Sequence, residues 1–163
     1  MADMPVKYGH PTGNLWAFWK WADIPSQVNE GQVYLRRLRV LNTPWFSVFV
    51  YWINEADTGR HPHDHPWTFW SWVVRGGYWE EVWPTERHFD LGIPPLQFAH
   101  HRWSTHRMGV ESAHKIVLAT DGLMTVVLTG KRQRRFRFWT PEGKIPWDKM
   151  GPKGWNVEVN DVD

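Results

Sequence analysis

The amino-acid sequence predicts an all-β domain, either a sandwich or a closed barrel, made of roughly eight short strands. Apolar residues recur with the spacing of β-strands in most runs after residue 32, and helical periodicity is nearly absent. Two dipeptides suited to tight two-residue turns, Gly76–Gly77 and Asp121–Gly122, each separate a pair of these runs. Together these observations favour a series of antiparallel hairpins.

The predicted elements follow one another with short connections. One helix is expected over residues 14–23, with Asn14 as its N-cap, and Pro25 prevents it from continuing. Strands are expected over residues 33–41, 45–53, 67–75, 78–83, 96–103, 114–120, 123–129 and 133–139. The run over 45–53 is almost wholly apolar, which is typical of a strand covered on both faces. Residues 1–32 then form an N-terminal extension, 33–141 the barrel, and 142–163 an irregular tail.

The composition fits one domain of 163 residues with its own core. A hydrophobic content of 42% excludes a disordered chain, and no apolar run is long enough to predict a membrane span. No export signal is visible at the N-terminus, so a cytoplasmic location is expected. The net charge of +2 does not indicate nucleic-acid binding. Because the chain has no cysteine, any metal must be bound by His, Asp or Glu.

The 14 tryptophans are an unusual feature of the composition. Because each ring can bury a large apolar area, most of them are expected to pack in the core. Two alternatives remain open: a stacking platform for sugars or bases, or an aromatic-rich interface with another protein.

Seven of the nine histidines lie in two stretches, residues 61–65 and 100–114. In the first stretch, His63 and His65 are two residues apart, so a strand would point both imidazoles to the same side. Such a pair, joined by a third histidine from a distant strand, is a common metal site. The competing interpretation is an exposed polar loop, which the flanking Pro62 and Pro66 favour. Four of the remaining histidines are expected at the surface or, at most, in contact with substrate: His10, His100, His101 and His106. His88 lies in a predicted loop and is assigned no role.

Four spaced motifs resemble the cupin superfamily, and within it a group of cupin-like proteins from bacteria and their phages. They are H-D-H-P-W-T-F at 63–69, G-G-Y-W-E at 76–80, A-H-K at 113–115 and T-V-V-L-T-G at 125–130. The resemblance covers about residues 34–147. It implies a cupin-type double-stranded β-helix, a jelly-roll barrel. It also implies one divalent transition metal (iron, zinc, manganese or nickel) bound by His63, His65 and His114.

The chain departs from the cupin pattern at the fourth metal ligand. The glutamate expected after the second histidine falls on Phe69 or Trp70. Glu80 is the nearest substitute, but a hairpin at Gly76–Gly77 would place it opposite Val73, roughly 13 Å along the barrel from the usual position. It is therefore expected to contact substrate instead. The candidate substrate-binding residues are His61, Phe69, Tyr78, Glu80 and Arg134.

The basic segment 131–139 alternates between two faces of its predicted strand, which places Arg134 on one face and Arg137 on the other. One interpretation is an edge strand that its charges protect from aggregation. The other is that Arg134, which matches a basic position in the cupin-like group, points to the barrel mouth and binds a carboxylate or phosphate.

The leading functional hypothesis is an enzyme that binds a small anionic or polyol molecule at a three-histidine metal. This ligand set resembles that of the thiol dioxygenases, and oxygenation, isomerisation and Lewis-acid chemistry all remain open. Asp64 lies on the opposite face from the histidine pair, which disfavours a His-x-Asp oxygenase site. The alternatives are a non-catalytic cupin that binds a sugar or nucleotide, and a phage structural or accessory protein. A homodimer is expected, and no membrane partner.

Overall fold

The computed structural model describes residues 16–26, 29, 31–57 and 60–149, which form two six-stranded antiparallel sheets. The first sheet has the order β1-β2-β3-β10-β5-β8 and the second β12-β11-β4-β9-β6-β7. No helix in these ranges has the length and apolar character needed to cross a membrane. The elements are β1 (Ala17–Pro25), β2 (Val33–Asn42), β3 (Ser47–Ile53), β4 (His63–Asp64), β5 (Phe69–Arg75), β6 (Tyr78–Trp83), α1 (Glu86–Asp90), β7 (Leu96–His100), β8 (Thr105–Met108), β9 (Ala113–Ala119), β10 (Leu123–Thr129), β11 (Arg137–Thr140) and β12 (Gly143–Pro146).

The core lies between the two sheets, as the alternating pattern predicts. In β5, Phe69, Ser71 and Val73 are buried, whereas Trp70 and Trp72 between them are exposed. Burying one such apolar side chain contributes roughly 1.5–3 kcal/mol. Two clusters fill the space between the sheets, one of Phe49, Phe69, Met108 and Val127 and one of Val73, Tyr78, Ile116 and Leu123. The all-β jelly-roll prediction is confirmed.

The two glycine turns have the predicted backbone conformation but do not form hairpins. Gly76 and Gly122 adopt φ angles of +75° and +67°, which favour glycine. Each turn, however, joins strands of opposite sheets: β5 to β6, and β9 to β10. The chain crosses because the apolar sides of all four strands must face one core. The expected pairing of Val73 with Glu80 is therefore wrong, and Glu80 pairs with Ile116.

The predicted helix over 14–23 is wrong in its described part, which belongs to strand β1. This strand pairs along β2, with Trp21 opposite Leu38. Tryptophan and phenylalanine fit a pleated sheet well, and β1 satisfies hydrogen-bonding groups that would otherwise remain open along the edge of β2. Asn14, the expected N-cap, lies outside the described residues.

The expected irregular tail begins with a further strand, because β12 pairs with β11 in the second sheet. The last predicted strand is also shorter than expected. It starts at Arg137 rather than at residue 133, and residues 131–136 are irregular. The sequence does not predict β4, β8 and α1, which are only two to five residues long.

Asp57 connects the two sheets. Its carboxylate accepts hydrogen bonds from the Tyr34 hydroxyl on β2 and from the Ile116 backbone N–H on β9, the latter at 3.0 Å. The Arg60 guanidinium lies 3.9 Å from the same carboxylate and 3.8 Å from the centre of the Tyr34 ring. Because Asp57 is buried, these donors have no access to water in its place.

We expect Asp57→Ala to lower the free energy of unfolding by about 3 kcal/mol, because it leaves a buried hydroxyl, N–H and guanidinium unpaired. Urea denaturation followed by circular dichroism measures the loss. The control is Asp148→Ala, which breaks an exposed ion pair with Arg135 at 3.4 Å and should cost less than about 1 kcal/mol. Equal losses in the two variants would contradict a connecting role for Asp57.

Candidate metal centre

Strand β4 brings the paired histidines next to the third one. This two-residue strand lies between β11 and β9, and His63 pairs with Phe138 on one side and with His114 on the other. His65 follows two residues later. The structure therefore brings His63, His65 and His114 together: one ring nitrogen from each lies within 4.8 Å of the other two. The Nε2 atoms of His65 and His114 are 2.8 Å apart.

The spacing of the three rings fits one shared ion. An imidazole nitrogen binds a transition metal at about 2.1 Å, which places the ring centroid about 3.2 Å from the ion. Two rings separated by about 90–109° around that ion then have centroids about 4.6–5.3 Å apart. The measured centroid distances are 4.6 Å for His63–His114, 4.9 Å for His65–His114 and 5.3 Å for His63–His65. The donor set thus fits a divalent transition metal.

Glu80 lies behind His114, on the side away from the other two rings of the cluster. Its Oε1 is 2.5 Å from His114 Nδ1, and only 1% of the glutamate is exposed. The expected distance of about 13 Å is wrong, because β6 pairs with β9 and sets Val82 opposite His114, one diagonal step from Glu80. A carboxylate that accepts a hydrogen bond from the outer N–H of a histidine leaves the inner nitrogen free to bind a metal.

Burial sets the protonation of the histidine pair. It lowers the pKa of His63 and of His65 well below 6.5, and the neighbouring His114 lowers both further. Both imidazoles are therefore neutral at pH 7, the state that binds metals. Burial also acts to lower the pKa of His114, but the hydrogen bond and negative charge of Glu80 outweigh it and raise that pKa.

Aromatic rings surround the three imidazoles. The Phe69 ring lies 4.8 Å from that of His65, and the Phe136 ring 5.1 Å from that of His63. Phe69 was expected at the site from its place in the first motif. Phe136 was not, and the only sequence signal for it is the aromatic alternation in the last predicted strand. These rings exclude water from one side of the cluster and so strengthen electrostatic interactions within it.

His100 and His106 are not the surface residues that the sequence suggested. His100 is 8% exposed and its Nε2 lies 2.9 Å from Glu80 Oε2. Its ring stacks on that of His106 at 4.2 Å. The sequence could not show this, because His100 belongs to β7 in the second sheet and His106 to β8 in the first. The two histidines meet only when the sheets close. His101, by contrast, is exposed.

Two other candidate residues divide between the interior and the periphery. The Tyr78 hydroxyl lies 3.4 Å from His106 Nε2, inside the barrel next to Glu80 and the histidines. His61 is not part of these clusters. Burial lowers its pKa, and the charges that act on it are those of Glu142 and Lys115.

Arg134 forms an ion pair with Asp64, on the side of β4 opposite the histidines. Its guanidinium lies 3.1 Å from the fully buried carboxylate. The same carboxylate accepts hydrogen bonds from Arg137 Nε at 2.8 Å and Trp139 Nε1 at 2.9 Å. The expectation that Arg134 and Arg137 face opposite ways is wrong, because the strand starts only at Arg137. Both arginines reach Asp64.

Comparison with known proteins identifies the fold. No protein-family model matches the chain, and no curated protein matches it. Among solved structures, one of the DMSP lyases RdDddP and RnDddQII aligns with a TM-score of 0.55 at 13% identity, over 75% of this chain and 63% of that one. A cupin 2 conserved barrel domain protein from Rhodopseudomonas palustris aligns with a TM-score of 0.53 at 12% identity, over 79% and 88%. The chain has the cupin fold.

A third cupin-fold match is a structure of FeII HppE, with a TM-score of 0.51 at 11% identity, covering 68% of this chain and 56% of that one. At these identities the likeness is one of fold. The chain spans 63% of the DMSP lyase chain and 56% of the HppE chain.

The buried histidines predict an acid-sensitive fold once metal is removed by a chelator. Burial lowers the pKa of His106 to about 4, and the pKa values of His63 and His65 are also lowered. Below pH 6.5 the unfolded chain binds protons at these three positions that the folded chain does not. The free energy of unfolding therefore decreases as the pH is lowered. His114, with its raised pKa, acts in the opposite direction near pH 6.5, where the folded chain holds a proton that the unfolded chain has partly released, and adds no slope once both states are protonated at lower pH.

Each of the three histidines adds at most about 1.4 kcal/mol per pH unit. Urea denaturation at pH 7, 6 and 5 in the presence of chelator measures the slope. We expect His106→Gln to reduce it by about a third, whereas His101→Gln, at an exposed position, should leave it unchanged. A free energy of unfolding that stays constant from pH 7 to 5 would contradict the neutral state of these rings.

Proposed function

We propose that this cupin binds one divalent transition metal through His63, His65 and His114, and that it acts as an enzyme on a small anionic or polyol molecule. The observation that carries the proposal is the convergence of the three imidazoles together with the Glu80 carboxylate on the outer nitrogen of His114. Histidine ligands of metals are commonly oriented by such a carboxylate.

The charge balance of the interior supports a bound cation. Glu80 is buried, its pKa is lowered, and it is therefore ionised despite the cost of burying a charge. The hydrogen bonds from His100 and His114 offset part of that cost. A divalent ion on the far side of His114 would offset more, since its charge acts on the carboxylate through one imidazole ring.

A set of three protein ligands suits substrate binding at the metal. Three protein ligands leave positions around the ion for substrate or water, and the metal when bound would supply Lewis-acid or redox chemistry. Phe69 and Phe136 would limit the access of water to the reacting molecule. Both oxygens of Glu80 already contact histidines, so this carboxylate is poorly placed to take a proton from a substrate. This favours reactions that need no strong general base in contact with the substrate.

The fold neighbours are compatible with this proposal. One is a DMSP lyase and another an iron-bound HppE, so the barrel accommodates enzymes and an iron site.

We expect His114→Ala to lower the bound metal by close to one ion per chain relative to wild type, because it removes the ligand that Glu80 orients. Elemental analysis of protein purified without a histidine tag measures the ratio. The matched control is His101→Ala, an exposed histidine outside the cluster, which should keep the wild-type ratio. Wild-type metal content in His114→Ala would remove His114 from the site.

A second candidate function, self-association, is favoured by the outer surface of the first sheet. Eight tryptophans in the described part of the chain are exposed, which contradicts the expectation that most pack in the core. Several of them, with neighbouring apolar side chains, form what we term the tryptophan face. It consists of Trp21, Val48, Val50, Trp52, Trp70, Trp72, Met124, Val126 and Leu128.

The tryptophan face is unusual because the outer side of an antiparallel sheet is normally polar. Trp21, Trp70 and Trp72 are 55%, 48% and 47% exposed and together leave roughly 300 Å² of apolar surface. A standard interface buries about 800 Å² per partner, so these three side chains alone would supply more than a third of it. Arg36 and Arg107 lie beside Trp52 and Trp70 on this face, but the residues between them are apolar, so a second copy of the same chain fits it. The strand predicted over 45–53 is apolar on both sides because its inner residues pack in the core and its outer residues belong to the tryptophan face.

We expect the protein to sediment as a dimer at micromolar concentration, and the double variant Trp70→Ser/Trp72→Ser to shift toward monomer by at least tenfold in Kd. The control is Trp79→Ser, an exposed tryptophan on β6 of the other sheet, which should leave the dimer intact. Sedimentation velocity over a concentration series measures both. A wild-type protein that stays monomeric throughout would rule out this candidate function.

A further inference from the structure

A second group of side chains that could bind a metal lies inside the barrel, beyond His114. Glu80, His100 and His106 each offer one donor atom within 4.8 Å of the other two. Glu80 and His100 are buried, and His106 is nearly so. The proposed three-histidine site uses none of these three residues as a ligand.

One atom of this group has no partner within the described part of the chain. His106 Nδ1 is buried and makes no hydrogen bond, whereas Nε2 of the same ring lies 3.4 Å from the Tyr78 hydroxyl. A buried ring nitrogen without a partner costs free energy unless something binds it. The ring of His106 is thus held at one nitrogen and free at the other, and His114 is held at Nδ1 by Glu80 in the same way.

The distances within the group fit neighbouring ligands of one ion. Glu80 Oε2 and His100 Nε2 are 2.9 Å apart, close to the roughly 3 Å between two atoms bound at a right angle around one metal. The His100 and His106 ring centroids are 4.2 Å apart, which corresponds to an angle of about 80° around a shared ion and so fits a six-coordinate ion rather than a tetrahedral one. Two imidazoles and one carboxylate form a ligand set that zinc, iron, manganese and cobalt accept.

We propose that Glu80, His100 and His106 bind a second divalent transition metal ion. This inference extends the proposed function, because Glu80 would then contact the second ion through Oε2 and orient His114, a ligand of the first, through Oε1. On binding, the ion takes the place of the proton between His100 Nε2 and Glu80 Oε2, and that proton moves to His100 Nδ1 or to solvent. The second ion binds more weakly than the first, because its carboxylate ligand is shared with His114.

The test is a count of bound ions in four proteins. Chelator-treated, untagged wild type, His63→Ala, His106→Gln and the control His101→Ala are titrated with Co(II). Isothermal titration calorimetry gives the stoichiometry, and the visible absorption of Co(II) reports ligand binding. We expect two ions per chain in wild type and His101→Ala, and one in His63→Ala and His106→Gln. Unchanged far-ultraviolet circular dichroism shows that each variant is folded.

The outcomes separate this inference from the proposed function. One ion in wild type, lost in His63→Ala and kept in His106→Gln, overturns the second site and leaves the three-histidine site standing. One ion lost in His106→Gln but kept in His63→Ala overturns both the two-ion arrangement and the three-histidine proposal. Two ions in wild type with two still bound by His106→Gln would place the second ion elsewhere and also overturn the inference. If a variant fails to fold, the number of ions bound by the wild type decides between one site and two.

Discussion

The arrangement of the barrel interior depends on one buried carboxylate, Glu80. An ionised carboxylate removed from water needs a donor at each oxygen, and the fold provides His114 at Oε1 and His100 at Oε2. Each histidine is thereby fixed in orientation. His114 presents Nε2 to the histidine pair on β4, and His100 stacks on His106. The proposed ions on either side of Glu80 would both depend on this one side chain.

This geometry follows from which strands cross between the sheets. β6 leaves the Gly76 turn into the second sheet and pairs with β9, and this pairing sets Glu80 beside His114. Had the turn closed a hairpin with β5, Glu80 would face the same interior from a position far along the barrel. The closure of the sheets then brings His106 from β8 against His100. Local turn geometry and distant strand pairing are separate constraints, and the site needs both.

The sequence predicts those features that depend on residues close together in the chain. The shared side of His63 and His65 and the positive φ of Gly76 are of this kind. The partner of a strand is different, because it depends on which apolar surfaces meet in the core, and this is why the hairpins and the position of Glu80 were wrong. His100 and His106 were missed for the same reason. The N-terminal helix failed because an open strand edge decided the structure of an aromatic segment whose spacing alone fits a helix.

Part of the barrel interior is polar and part of its outer surface is apolar, the reverse of what burial alone would favour. Five histidines and the carboxylate of Glu80 are buried or nearly so inside the barrel, whereas Trp70 and Trp72 are exposed outside it. Each inversion costs free energy of folding unless a bound partner offsets it: cations for the interior, an apolar surface for the tryptophan face. The polar interior and the tryptophan face lie on opposite sides of β5, so the same strand supports both. Phe69 and Ser71 point inward, whereas Trp70 and Trp72 point outward. Association through the outer face would therefore bury the side of β5 that faces away from the candidate metal site.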